Sequence, residues 1–136
     1  MLVRELMTSP VVSVHLEEDA AHAVAVLDRM NVTCLPVVDS ADRIVGLIGE
    51  ADVIRQVVDA GPGGSHHVPQ PTPHVRDVMT RNVLTIHADA QVPVALALMN
   101  GTGLKSLPVV LQDRVVGMLS RRDIVRALAR GDLEVG

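Results

Sequence analysis

Hydrophobic and polar positions switch between two periods along this chain, and the whole pattern is played twice. Val11–Val14 and Val83–Ile86 are short runs rich in β-branched residues, which suit a partly buried strand. Ala20, Ala23, Val24, Leu27 and Met30 then recur at helical spacing, as do Val92, Ala95, Leu96 and Met99. Leu35–Val38 and Ile44–Ile48 flank Asp39-Ser40-Ala41-Asp42, a turn-rich connection that predicts a hairpin. The second copy shortens that turn to Gln112-Asp113. Pro36 and Pro108 lack an N–H, so they are expected to begin their strands or to lie where no ladder bond is required. A last helix is predicted over 50–59 and 121–130. Val53, Ile54, Val57 and Val58 face inward in the first, and Ile124, Val125 and Leu128 in the second. Gly61 and Gly131 serve as stops, and Gly101-Thr102-Gly103 is expected to end the second copy's first helix early.

The correspondence extends to residue identities. Val3-Arg4-Glu5-Leu6-Met7-Thr8 answers to Val75-Arg76-Asp77-Val78-Met79-Thr80, and Leu35-Pro36-Val37-Val38 to Leu107-Pro108-Val109-Val110. Arg43-Ile44-Val45-Gly46 answers to Arg114-Val115-Val116-Gly117, and Asp52-Val53-Ile54-Arg55 to Asp123-Ile124-Val125-Arg126. The domains are therefore drawn as 1–60 and 75–136, joined by the Gly-, Pro- and His-containing linker 61–74. A unit of roughly 60 residues buries too little core alone. The expected architecture is α/β, with two β-α-β-β-α repeats packed about a pseudo-two-fold axis.

Composition narrows the function. Apolar residues make up 48% of the chain, with no Phe, Tyr or Trp, so the core is aliphatic and any ligand ring is held between aliphatic side chains. The net charge of −4, without a long basic run, counts against nucleic-acid binding. The single cysteine, Cys34, leaves no internal disulfide and fits a reducing compartment. No apolar stretch approaches a membrane span of roughly 20 residues, and the N-terminus lacks the plan of a signal peptide. A cytoplasmic protein is expected.

The sharpest local signal is Ser120-Arg121-Arg122-Asp123 after an apolar strand, an N-cap with a carboxylate three residues on. The aspartate recurs as Asp52 in a copy whose cap is Gly49. Arg121 and Arg122 fall in a first helical turn, where cations oppose the helix dipole but would suit an anion beside free N–H groups. Against this stands a plain capping motif with two solvated arginines.

With these motifs in family order, the chain resembles a tandem pair of cystathionine β-synthase (CBS) domains, a Bateman module. The resemblance implies clefts between paired domains that bind adenosine-containing ligands such as AMP, ADP, ATP or S-adenosylmethionine, as ligands and not as cofactors. It assigns the ribose hydroxyls to Asp123 and Asp52, and a hydroxyl beside them to Ser120. Base-pocket positions fall on Ser13 and Thr85, on Val32, Thr33 and Cys34, and on Leu104 and Ser106. Arg121, Arg122 and Lys105 become candidate phosphate partners, which favours the Asp123 cleft; Lys105 could equally serve the Asp52 cleft. Glu50, where the second copy has Arg121, would repel a phosphate. The resemblance further implies a homodimer formed through helices and a regulated partner protein, whose identity is open.

Other signals weigh less. His15 and His87 occupy matched loop positions. His66, His67 and His74 lack a fixed third ligand, so no metal site is assigned. Cys34 has no base near it in sequence and reads as packing or pocket lining. No nucleophile–base constellation or phosphate loop occurs, so no enzyme is expected. A sensor of an adenosine ligand is the leading reading. The alternative is a ligand-free CBS dimer that holds other proteins together, and a metal or nucleic-acid binder is the outsider.

Overall fold

The computed structural model describes residues 1–60 and 73–133, with backbone alone over 57–60. Most of the 61–74 linker, with His66, His67 and the Gly61 stop, lies outside the described residues, as do the side chains of Val57 and Val58. Two compact units result. One is Val12–Val83; the other joins Met1–Val11 to Leu84–Gly136. The units are thus cut differently from the sequence repeat, because each repeat's leading segment belongs with the body of the other.

In the unit Val12–Val83, β1 (Val14–His15), β2 (Cys34–Val38) and β3 (Ile44–Gly49) form a sheet in the order β1-β2-β3. The β1–β2 pair is parallel and the β2–β3 hairpin antiparallel. Helices α2 (Ala20–Met30) and α3 (Glu50–Ala60) complete the β-α-β-β-α body. The short helix α4 (Val75–Val78) docks onto it: Val75 N–H donates to the Glu18 carbonyl at 2.8 Å and Arg76 N–H to that of Leu16 at 3.0 Å. Val75 and Met79 join Val14, Ala23, Val26, Leu27, Leu35, Val37 and Ile48 in one aliphatic core. Pro36 sits in the central strand opposite Leu47, whose N–H and C=O both bond Thr80, at 3.0 and 2.8 Å. Pro36 therefore lies at a position that asks no ladder bond of it, as expected.

The second unit repeats this plan with α1 (Val3–Leu6) as the docked segment. Its body is β4 (Ile86–His87), α5 (Val92–Thr102), β5 (Ser106–Leu111), β6 (Arg114–Ser120) and α6 (Arg121–Ala129), with sheet order β4-β5-β6. Val3 N–H donates to Ala90 at 2.8 Å, Arg4 N–H to Ala88 at 2.9 Å, and Thr8 exchanges two bonds with Met118 at 2.8 and 3.1 Å. Val3 is fully buried among Ile86, Ala88, Ala95, Met99, Leu107, Val109, Leu119 and Ile124.

Three expectations fail locally. The strands predicted from Val11 and Val83 shrink to two residues each, Val14–His15 and Ile86–His87, since only these pair with β2 and β5. Helix α5 runs through Gly101 to Thr102 and ends at Gly103, whose φ of 75° makes it the left-handed cap, so it matches α2 in length. Ile54 and Val125, expected inward, are 60% and 62% exposed. Each adjoins an apolar residue that already faces in, Val53 or Ile124, and successive helical side chains diverge by about 100°. Among the described residues no helix is long and apolar enough to cross a membrane.

Candidate functional site

Strand β6 runs directly into α6, and Ser120 at the junction is extended, with φ −114° and ψ 163°. Its Oγ accepts from Asp123 N–H at 3.2 Å, while Asp123 Oδ2 accepts from Ser120 N–H at 2.8 Å and from Ser120 Oγ at 3.0 Å. This capping box satisfies helix donors that have no partner inside the helix. It also fixes the carboxylate, which is only 7% exposed. The other oxygen, Oδ1, accepts from Thr8 Oγ1 at 3.2 Å, and the Arg126 guanidinium stands 3.9 Å away. Asp123 opens on a cavity of about 250 Å³ that is also lined by Glu5, Thr8, Arg126, Arg130 and Asp132.

Asp52 has the same construction with tighter bonds. Its Oδ2 accepts from Gly49 N–H at 2.8 Å; its Oδ1 accepts from Thr80 Oγ1 at 2.8 Å and Arg55 Nη2 at 2.9 Å. The cap hydroxyl of the other copy has no room here, because a Cβ on Gly49 would stand 2.9 Å from the Thr33 carbonyl oxygen. Neither carboxylate lacks a partner, since no buried side-chain polar atom goes unbonded among the described residues. The arrangement presents a fixed anion whose Oδ1 holds a hydroxyl donor, and a ligand hydroxyl could replace that donor in kind.

The remaining candidates divide. Arg121 and Arg122 do not line the Asp123 cavity; with Val125, Arg126 and Ala129 they form a separate hollow along α6. The cations that do reach the Asp123 cavity are Arg126 and Arg130. Lys105 is exposed, and its carbonyl accepts Arg121 N–H at 3.0 Å. Thr33 plays the same backbone role for Glu50 at 3.1 Å. Ser13, Val32 and Thr33 are exposed, while Thr85, Leu104 and Ser106 are half-buried at the strand entries. Cys34 is half-buried at the start of β2, and burial, then the charge of Asp52, pushes its thiol up to about 11. The matched histidines cap local turns: His15 Nδ1 accepts from Glu17 N–H and His87 Nδ1 from Asp89 N–H. Among the described residues no metal-ligating cluster of three or more forms. Sequence reasoning missed Thr8, Thr80, Arg126 and Arg130. The threonines had a signal, since Met-Thr opens both repeats.

Fold and site together define a duplicated α/β module with an anchored carboxylate at the same helix start in each copy. The CBS domain profile matches residues 3–59 and 75–130, and the chain belongs to the CBS domain family. Inosine-5'-monophosphate dehydrogenase of Methanocaldococcus jannaschii is 30% identical over 123 residues, covering 90% of this chain and 22% of that enzyme. The chain thus spans under a quarter of that relative. The CBS domain pair of protein MJ0100, solved with 5'-methylthioadenosine and S-adenosyl-L-methionine, superposes with a TM-score of 0.80 at 28% identity, covering 98% of both chains. CBSX2 in complex with AMP gives a TM-score of 0.80 at 25% identity, covering 97% of this chain and 98% of that one.

Proposed function

We propose that this chain is a regulatory module that binds an adenosine-containing ligand through Asp123 and signals its occupancy to a partner protein. The observation that carries the reading is the division of labour within the carboxylate. Oδ2 is consumed by the helix cap, whereas Oδ1 holds one hydroxyl donor at 3.2 Å and a distant arginine. A ribose diol offers two such donors. Asp52 takes the matching role in the other unit, but its Oδ1 is held at 2.8 and 2.9 Å by two groups, so it ranks second. Bound methylthioadenosine, S-adenosylmethionine and AMP in the similar structures support the ligand class.

The cavity refines the ligand. About 250 Å³ lies below the roughly 300–1,000 Å³ of sites that enclose a whole drug-sized ligand. It suits a sugar and its substituents, with the rest of the ligand extending past it. Three carboxylates (Glu5, Asp123, Asp132) face two guanidiniums (Arg126, Arg130), which favours S-adenosylmethionine or AMP over ATP. The protein acts in this reading as a sensor without chemistry of its own, and as a homodimer.

Calorimetric titration with AMP, ADP, ATP and S-adenosylmethionine tests this on the native protein, Asp123→Asn and Asp52→Asn. Asparagine keeps the side-chain volume and one acceptor oxygen for the helix cap, while charge-assisted bonds of about 1.5–3 kcal/mol each are weakened; circular dichroism checks that each variant folds. Asp123→Asn is expected to cost at least tenfold in affinity, and Asp52→Asn less. If none of the four binds at millimolar concentration, the sensor reading falls. The alternative, an interaction module with purely structural carboxylates, would then lead, since the main-chain bonds of both aspartates at their helix starts have a structural purpose of their own.

A further inference from the structure

The Asp123 cavity is built from two stretches far apart in sequence. Glu5, Leu6, Met7 and Thr8 come from the docked N-terminal segment, and the rest of the lining comes from α6 and the residues just after it. Main-chain bonds to Ala88, Ala90, Val92 and Met118 tie the segment to its unit, together with the Arg4–Asp89 ion pair and the buried Val3. Thr8 is where it reaches the carboxylate, donating to Asp123 Oδ1 at 3.2 Å. The same segment leads through Val11 into the other unit, which starts at Val12. One short stretch of chain thus lines the site, touches its central anion and continues into the second body.

We infer that this segment is a strap whose docking is linked to occupancy of the Asp123 cavity, so that a bound ligand locks it onto β6 and α6. The inference rests on the ligand reading proposed above and adds how occupancy leaves the site. When the strap lifts, the cavity loses everything from Glu5 to Thr8. A ligand that binds the docked state and not the open one makes opening costlier, in proportion to the logarithm of its concentration over Kd. Such a difference in affinity is the only way a ligand shifts an equilibrium. The exchange of hydroxyls at Oδ1 does not reverse the sign. A ligand hydroxyl takes over the bond that Thr8 gives up, while the Thr8 main chain keeps its pair with Met118 at 2.8 and 3.1 Å. Short peripheral segments open at lower cost than the whole fold, so the strap can lift while the body of its unit stays folded.

Amide hydrogen exchange on the whole chain tests this, with calorimetry to find which of AMP, ADP, ATP and S-adenosylmethionine has the lowest Kd. In the free protein the Met7, Thr8 and Met118 amides are expected to exchange faster than those pairing β5 with β6, the mark of a separate opening. With the best ligand at about 100 times its Kd, these three amides should slow about a hundredfold. Asp123→Asn at the same ligand concentration should keep a slowing of about tenfold or less, in step with its weaker binding. Bound ligand that leaves strap exchange unchanged, or speeds it, overturns the inference while the ligand reading stands. A strap that exchanges only together with the β5–β6 amides overturns it in the same way. Binding of none of the four overturns both.

Discussion

Gly117→Ala adds one methyl group where the docked segment of the N-terminal repeat meets β6. The new Cβ would stand 2.6 Å from Met7 Sδ, 3.0 Å from Met7 Cγ and 2.9 Å from the Thr8 carbonyl oxygen. The thioether can swing away on its rotatable bonds. The carbonyl cannot, because it accepts Met118 N–H at 3.1 Å while Thr8 N–H donates back to Met118 at 2.8 Å. Overpacking of this kind costs about 1–3 kcal/mol, offset by about 0.5–1 kcal/mol from removing a strand glycine. The net expectation is a loss of about 1–2 kcal/mol, a fall in Tm on the order of 3–7 °C for a chain of this size. Circular dichroism follows the melting, since no aromatic residue is present to give a fluorescence signal. Amide exchange at Thr8 and Met118 locates the damage, because their reciprocal bonds should open first. Gly101→Ala is the control: a Cβ there meets nothing within 4 Å, so the same change inside α5 should stabilise by about 0.5–1 kcal/mol. A Gly117→Ala protein as stable as wild type would refute the close docking of Met7-Thr8 on β6.

Local chemistry at Cys34 and Asp39 has consequences of its own. With its thiol raised from 9.0 to about 11, Cys34 should react with iodoacetamide at pH 8 about tenfold or more slower than an ordinary cysteine; equal rates before and after denaturation would contradict its burial. Because the folded value is the higher one, the stabilisation of the neutral thiol is complete below pH 9 and lost as pH rises toward about 11, a decline that Cys34→Ala should remove. The Asp39 carboxylate is held below its ordinary 3.8 by N–H bonds from Arg43 and then Ala41, at 3.0 and 2.8 Å. The turn it orders should therefore persist as pH falls to 3.8 and loosen only below it, which amide shifts of Ala41 and Arg43 against pH would report; a midpoint at or above 3.8 would contradict those bonds.

Much of this fold is legible in the residues because an aliphatic core leaves few ways to bury each element. The order of strands and helices within each body, the hairpins and the tolerated prolines follow from period and turn chemistry, whereas the four-residue helices α1 and α4 are too short to show a period. The exchange of leading segments does not. Val3 and Val75 are equally apolar, and Gly46 and Gly117 equally lack a Cβ, so either Met-Thr segment reads as fitting either body. Adjacent apolar pairs such as Val53-Ile54 and Ile124-Val125 likewise hide which member faces in. At the site, the spacing of Ser120 and Asp123 marks the capping box, since that motif is local. Thr8 and Arg126 were hidden for opposite reasons. Thr8 arrives from a segment 115 residues away in sequence, and Arg126 is one helical turn on, looking like an ordinary solvated position.

In the duplicated carboxylates the two oxygens are held differently, so that on the proposed reading one serves architecture and the other binding. In both units Oδ2 takes the main-chain bond that starts the helix, at the same 2.8 Å, so that half of the group is fixed by folding. Oδ2 differs only in the added Ser120 hydroxyl at Asp123; the larger difference is at Oδ1. Arg55 closes on Asp52 at 2.9 Å, whereas the equivalent Arg126 stands 3.9 Å from Asp123, although the spacing in sequence is identical. A hydroxylated ligand at Asp52 must therefore displace an ion pair as well as a threonine, while at Asp123 it needs to displace chiefly the threonine. The main-chain bond to Oδ2 is kept in both copies, while the surroundings of the outer oxygen differ. On the proposed reading, the inequality of the two sites comes from that difference.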